Sequence, residues 1–428
     1  MKKNSSLLNR CVSAIFIGAG GAVGSRVLMF VANIILSRIL GQEYFGQYSS
    51  VANTVNLFVV FSGMGIASTL TRYIATAKED NRLLGVYIGT LSKICFVFSA
   101  VLSIVLFVFA KQISELSTGT VELARYFRIV SITIFFSSMA SVEQSIMVGF
   151  EKFKVSTIVQ LIRCALFCIL GYVLPQQYGL TGAVYALLIS HGVQYFISVV
   201  INNRIYVMKR IERCWHWDAS IKRIAIGYAL PAFISGLCVM PVNWIGNAIL
   251  TRKMGFAELA VFTIASQWMQ YLTYIPAQMG NMRPIYSDLY ARKQKLSLRN
   301  LLVKITVSTT AVVVCVALCV CMVSKYILLT YGPEYATGIP TFVIMILTAI
   351  LYTSQVQTGF ILQAMGRMWL AVGINGLWGI ILLGVLLVTV SMGSVGYAWA
   401  YFFAYLCTSV FQIGLMIKYF HNAQDSKE

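Results

Sequence analysis

Acidic side chains are scarce in this chain: 14 Asp and Glu stand against 33 Lys and Arg in 428 residues, with 3 histidines. Charged residues make up only 11% of the sequence and hydrophobic ones 58%, at a mean hydropathy of +0.78. That excludes a soluble domain, whose water-facing surface needs far more charge. His191, His216 and His421 are too scattered for a metal cluster. The ten cysteines, all but Cys214 in or at the end of apolar runs, suggest neither a zinc site nor a disulfide framework. The outer links lack the paired carboxylates that a membrane-embedded glycan polymerase or acyltransferase needs for acid–base work. The formal charge of +19 does not mark a nucleic-acid binder, because the basic residues sit in short links and form no continuous patch.

What fills the sequence is apolar runs. The first, Val12 to Leu40, is about 40 Å long as a helix, enough to cross a hydrocarbon core with some tilt. Met1-Lys-Lys looks like the start of a signal peptide, but the apolar stretch continues past Gly24 without a break, so no cleavage is expected. The runs predict an all-α polytopic membrane protein with spans at 12–39, 46–72, 84–110, 123–148, 155–174, 180–203, 222–249, 258–282, 301–328, 339–363, 369–390 and 394–418. Of the lysines and arginines, 25 fall on the side shared by both termini and 7 on the other, with Arg26 left inside the first span. The positive-inside rule therefore puts both termini in the cytoplasm. The most basic link, 202–223, contains Trp215-His-Trp217 and reads as an inside link with an aromatic anchor, or as a surface-lying helix against anionic lipid.

A shift of 214 residues sets Ile35-Leu36-Ser37-Arg38 and Gly41 on Ile249-Leu250-Thr251-Arg252 and Gly255, and Gly179 and Gly182 on Gly393 and Gly396. Six spans per half return the chain to one side. The halves, 1–210 and 211–428, are therefore expected to be two parallel-repeat six-helix lobes around a central cavity. Gly41 and Gly255 suit a left-handed stop after each first helix, and the Gly-x-x-Gly starts of spans six and twelve suit close helix contact.

The segment Leu36-Ser-Arg38-Ile-Leu-Gly41-Gln-Glu-Tyr-Phe-Gly46 resembles the opening of the polysaccharide transporter family, the Wzx-type O-antigen flippases of the multidrug/oligosaccharidyl-lipid/polysaccharide exporter superfamily. Met147-Val-Gly-Phe-Glu-Lys and its counterpart Leu362-Gln-Ala-Met-Gly-Arg are similar to the inner link of that family after the fourth span of each lobe. The resemblance implies a flippase that moves an undecaprenyl-pyrophosphate-linked oligosaccharide to the outer leaflet by alternating access. It implies no enzymatic activity and no cofactor beyond a proton or sodium gradient. Implied partners are the lipid-linked substrate, membrane lipid, and a glycan polymerase with its chain-length partner. The two further spans usual in peptidoglycan-precursor flippases are not found, which favours an O-unit or similar surface glycan.

Such a cargo asks for cations at its pyrophosphate and for polar and aromatic surfaces at its sugars. Arginine suits the pyrophosphate, since its planar fork pairs oxygens bidentately and stays charged at low dielectric. Arg26 is the first candidate, with Asn33 and Ser37 on its helix face, and Arg163 the second, with Gln160 and Thr157 on its own. Glu143 is expected to be a structural counter-ion to one of these arginines or a coupling residue. His191, with Gln194 and Ser198 on its face, is a candidate for proton coupling. Arg72 and Lys93 are candidates for an entrance, and Arg125 and Arg128 for an exit, against the alternative of helix-end snorkelling. Span eight offers a stripe of Gln267, Gln270, Tyr271, Tyr274, Gln278 and Asn281. Sugar contact and interhelical hydrogen bonding remain open for it, as they do for Asn53, Asn56, Asn243 and Asn247. Pro231 and Pro241 are expected to bend span seven.

An ion-coupled multidrug exporter of the same superfamily is the nearest rival, but it would hold an acidic residue deep in a lobe. Here the span interiors are cationic apart from Glu143. A major-facilitator carrier is disfavoured because its inner signature between spans two and three is absent from Arg72 to Arg82.

Overall fold

A computed structural model describes residues 2–63, 65–77, 80–216, 234 and 238–421. The described residues form helices and connecting turns, with no strand among them. Trp217, Pro231 and most of the predicted span seven lie outside the described residues. The chain forms two compact units, Met1–Leu237 and Cys238–Glu428.

In the first unit the helices are α1 (Lys2–Gly63), α2 (Ile66–Thr76), α3 (Asn81–Val108), α4 (Ala110–Thr118), α5 (Ala124–Gly149) and α6 (Phe153–Lys209). In the second they are α7 (Met240–Met254), α8 (Phe256–Leu272), α9 (Tyr274–Gln278), α10 (Arg283–Ala291), α11 (Lys295–Met322), α12 (Ser324–Tyr331), α13 (Ile339–Ala364), α14 (Met368–Thr389) and α15 (Ser394–His421). Among the described residues, eight helical stretches are long and apolar enough to cross a membrane, in sections of α1, α3, α5, α6, α11, α13, α14 and α15. Two of these are much longer than a bilayer needs, at 41 and 57 residues, and each contains one glycine with non-helical backbone: Gly41 in α1 and Gly179 in α6.

The predicted stop at Gly41 is a break without a loop. Its φ of 72° and ψ of 172° lie in a region open in practice to glycine alone, and the helix resumes at the next residue. Gly255 has the same conformation, φ 90° and ψ 177°, between α7 and α8. Gly179 (φ 54°, ψ −134°) and Gly393 (φ 65°, ψ −141°) form a second matched pair. Both Gly-x-x-Gly elements end in backbone contact: a Cβ on Gly182 would overlap the Leu174 carbonyl oxygen, and one on Gly396 that of Thr389. Lipid offers helices no hydrophobic reward for associating, so such close approaches supply the packing.

The duplicated link after the fourth predicted span closes identically in both halves. Lys152 N–H donates to Met147 O at 2.8 Å and Glu151 N–H to Val148 O at 2.9 Å. Arg367 N–H donates to Leu362 O at 2.9 Å and Gly366 N–H to Gln363 O at 3.1 Å. This is the paired-bond Schellman stop, with Glu151 and Gly366 at the left-handed position. Helix limits also refine the register. α3 and α11 are offset by 214 residues, but α5 and α13, and the starts of α6 and α14, are offset by 215. A single extra residue enters before α13 and is gone again by Gly393.

Other expectations need correction. Span two is broken at Gly65 (φ 69°), where α1 ends and α2 begins. Span eight is not one helix: α8 ends at Leu272, and Thr273 leads into α9, a 3-10 turn over Met279–Met282 and then α10. Pro276 lacks the N–H a continuous helix requires, which fits a break at this point. The residues 211–216 of the basic link are not helical, so no surface-lying helix forms there.

Each unit has its own core. In the first, Leu70, Ile74, Ile88, Leu91 and Ile146 from α2, α3 and α5 pack together fully buried. In the second, Tyr286, Leu298, Ile361 and Leu362 from α10, α11 and α13 do so.

Candidate functional site

The arginine sites start from close packing of α1 on the first half of α6. A Cβ on Gly21 would overlap the Thr157 side chain, and one on Gly24 would sit 3.2 Å from Leu161. Small residues on α1 thus let its backbone approach α6. One turn on, Ser25 lies beside the Cys164 thiol. Arg26 therefore leaves α1 in the turn that borders Arg163 and Cys164 on α6.

Arg163 is buried, 9% exposed. Its Nη2 donates to Cys164 Sγ at 3.2 Å, and its charge reaches Tyr48 on α1 and His191 on the second half of α6. His191 Nδ1 lies 3.1 Å from Leu187 O. The two halves of α6 are also tied by Gln194 Nε2, which donates to Gln160 Oε1 at 2.9 Å. The faces separately predicted around Arg163 and His191 are therefore one polar cluster, folded together by the Gly179 break. Tyr48 and Cys164 belong to it too. Sequence reading missed both, because a tyrosine in a repeat motif and a cysteine in an apolar run carry no polar signal by themselves.

No carboxylate partners Arg163 among the described residues. The expected counter-ion, Glu143 on α5, is buried (4% exposed) but accepts from Asn202 Nδ2 at 2.6 Å, and the cation whose charge reaches it is Arg213. Asn202 Nδ2 also donates to the Glu143 backbone oxygen at 2.9 Å. Glu143 thus belongs to a separate cluster at the end of α6, and its expected pairing with Arg26 or Arg163 is corrected.

The remaining candidates disperse. Arg26 is half-buried, while Asn33 and Ser37 on its helix are buried. Asn53 is half-buried and Asn56 exposed. Arg72, Lys93, Arg125 and Arg128 are all exposed. Lys93 stands over the Trp215 ring at 5.1 Å and Arg125 over Tyr126 at 4.5 Å, so aromatic rings hold two of these helix-end cations in place. In the second unit Asn247 is half-buried. Asn243 Oδ1 accepts from Tyr401 Oη at 2.6 Å, which makes Asn243 an interhelical contact between α7 and α15. Gln267 and Tyr271 are half-buried on α8, Gln270 is exposed, and Tyr274 lies beyond the helix end, so the predicted stripe does not run along one face.

With the 215-residue offset, Arg163 corresponds to Trp378 on α14. Trp378 is buried and packs against Tyr401 and Tyr405 at centroid distances of 5.8 and 5.5 Å. Tyr405 occupies the His191 position, and Phe262, at the Tyr48 position, stacks on Tyr397 at 3.9 Å. The place that holds a cation in the first unit holds interlocked rings in the second.

Comparison with known proteins agrees with this architecture. A solved inward-facing multidrug resistance MATE family transporter of the MOP superfamily matches with a TM-score of 0.83 at 14% identity, covering 94% of this chain and 96% of that one. The lipid II flippase MurJ in an inward closed conformation matches with a TM-score of 0.77 at 13% identity, over 95% and 90% of the two chains. At such identities the likeness is one of fold. The EPS I polysaccharide export inner membrane protein EpsE of Ralstonia nicotianae is 24% identical over 273 residues, 63% of this chain and 62% of that protein, so the match spans less than two thirds of the relative. The profile of the polysaccharide biosynthesis protein family matches residues 35–340, well over half of the sequence, and the chain belongs to that family.

Proposed function

We propose that this protein is a flippase for an undecaprenyl-pyrophosphate-linked oligosaccharide, an O-antigen or similar surface-glycan unit, and that the Arg163 cluster, with Arg26 beside it, receives the pyrophosphate. The observation that carries this reading is Arg163 itself: a guanidinium buried in a membrane bundle with no carboxylate partner among the described residues. An ionised group at bilayer depth is costly to keep, about 2.5–3.5 kcal/mol even on the lenient insertion scale, and a buried cation without a protein anion has its charge to offer to an anionic ligand. Family membership, the polysaccharide export name of the EpsE relative and the shared fold with a lipid II flippase favour transport over catalysis.

In this reading the breaks at Gly41 and Gly179 divide two long helices into two passes each. Together with α3, α5, α11, α13, α14, α15 and the α7 and α8 passes, they make twelve. The two units act as repeated lobes that alternate in access, with both termini cytoplasmic in a bacterial inner membrane. A glycan polymerase and its chain-length partner would take the delivered unit. His191 lies within the electrostatic reach of Arg163, so proton binding there and headgroup binding at Arg163 would be linked, giving a route for coupling to a proton gradient. Glu143, tied to Asn202 and near Arg213, has a structural role.

The test is a chromosomal null mutant analysed for lipid-linked glycan. Accumulation of an undecaprenyl-pyrophosphate-linked oligosaccharide on the cytoplasmic leaflet is expected. A null with unchanged lipid-linked intermediates but raised drug sensitivity would favour the multidrug exporter instead.

A further inference from the structure

The two units differ a second time, at the ends of the helices where α3, α5 and α6 meet in the first and α11, α13 and α15 meet in the second. In the first unit the chain covers this place with itself. Residues 211–216 lie across α3 on Gly85 and Gly89, where a Cβ would overlap the carbonyl oxygens of Glu212 and Cys214. Cys214 N–H donates to Gly85 O at 3.2 Å. Thr90 Oγ1 donates to His216 O at 3.0 Å, and Asn81 Nδ2 to Lys209 O at 2.8 Å. Glu143 and Asn202 lie in the same corner.

None of these features is repeated. At the 214-residue offset, Gly85 and Gly89 become Arg299 and Val303, Asn81 and Thr90 become lysines, and Asn202 and Tyr206 become Met416 and Phe420. Side chains of Arg299 and Val303 now stand where the glycines of the first unit admit a backbone. What remains among the described residues is a groove of about 470 Å³ between α11, α13 and α15, lined by Val303, Ile413 and Phe420 with Thr306, Ser354 and Thr358 beside them, and with Arg299 one turn inside the start of α11. Arg299 is exposed and has no protein partner among the described residues.

We propose that this groove binds one acyl chain of an anionic glycerophospholipid from the surrounding bilayer, with the lipid phosphate on Arg299. The lining is mostly apolar along helices that cross the membrane, and the one charged side chain in it is Arg299, near the helix ends. That is the charge order of a phospholipid: an anion at the interface and hydrocarbon inward. The groove, about 470 Å³, is of the scale of one acyl chain. The guanidinium fork suits a phosphate, which a zwitterionic choline headgroup presents with its charge already cancelled. This proposal stands whether or not the protein flips a lipid-linked glycan.

The test is native mass spectrometry of the full-length protein in detergent with phosphatidylglycerol, phosphatidylcholine or undecaprenyl phosphate added. One phosphatidylglycerol is expected to survive activation that strips phosphatidylcholine. Arg299→Gln should weaken its retention about fivefold, the worth of one interfacial cation. Val303→Trp, which fills the groove from the lipid side without removing the charge, should also weaken it. Equal retention of phosphatidylcholine, wild-type retention in both variants, or displacement of phosphatidylglycerol by an equal concentration of undecaprenyl phosphate would each overturn the proposal.

Discussion

Arg163 and Trp378 stand at the same position in two copies of one helix pattern, and their surroundings have diverged completely. Around Arg163 are Cys164, Tyr48, His191 and the Gln160–Gln194 pair. Around Trp378 are Tyr401 and Tyr405, with Phe262 and Tyr397 behind them. The backbone between them has hardly changed: Gly41 and Gly255, and Gly179 and Gly393, keep their paired conformations, and both fourth-span links close with the same two bonds. Duplication has preserved what the fold needs at glycine and left side-chain chemistry free to specialise. One unit carries buried charge while the other carries packed rings, which fits the proposed single site for an anionic headgroup.

Exchanging chemistry between the two positions should have the largest effect. Arg163→Leu removes the cation and should lower surface-glycan delivery about tenfold to a hundredfold, the worth of hydrogen bonds to a charged group. Arg163→Lys should retain part of it, because the charge stays and the fork is lost. Trp378→Leu opens a space among the rings and should reduce delivery only as far as it reduces the amount of folded protein. Delivery measured against membrane protein level in a complemented null strain checks all three. If Trp378→Leu abolishes delivery at normal protein level, both units carry the site and the asymmetry is lost.

Smaller and symmetric effects are expected at the shared backbone. Gly182→Ala drives a methyl group into the Leu174 carbonyl of the first half of α6, and Gly396→Ala one into the Thr389 carbonyl at the end of α14. Each should cost about 1–3 kcal/mol, read as a lower melting temperature of the detergent-purified protein. A large loss in one unit and none in the other would show that the two turns are not equivalent, and would weaken the correspondence of Arg163 with Trp378 built on them.

Much of the fold was legible because membrane solvation constrains sequence so strongly. Apolar runs, link positions and the matched glycines could be read directly, since a hydrocarbon environment and a Gly-only backbone each admit few alternatives. The breaks were less legible. Gly41 reads as a stop, but one residue of unusual backbone lets the helix resume, and the only mark of the break after α8 is Pro276, three residues beyond Thr273. The one-residue change of register before α13 was invisible because apolar helices align nearly as well one residue out of step, so Trp378 did not emerge as the counterpart of Arg163. At the site, helix periodicity correctly grouped Arg163 with Gln160 and His191 with Gln194. That these two faces meet is a tertiary fact. Glu143 was matched with arginines by charge alone, and its neighbours Asn202 and Arg213 lie 59 and 70 residues away in sequence, beyond any local pattern.

Whether Arg163 in the first unit holds the anionic headgroup is measured by binding of undecaprenyl pyrophosphate to the full-length detergent-purified protein, compared between the wild type, Arg163→Gln and Trp378→Phe. The dissociation constant is expected to rise about tenfold or more in Arg163→Gln and to stay unchanged in Trp378→Phe. Wild-type binding by a folded Arg163→Gln protein would contradict a headgroup site at Arg163.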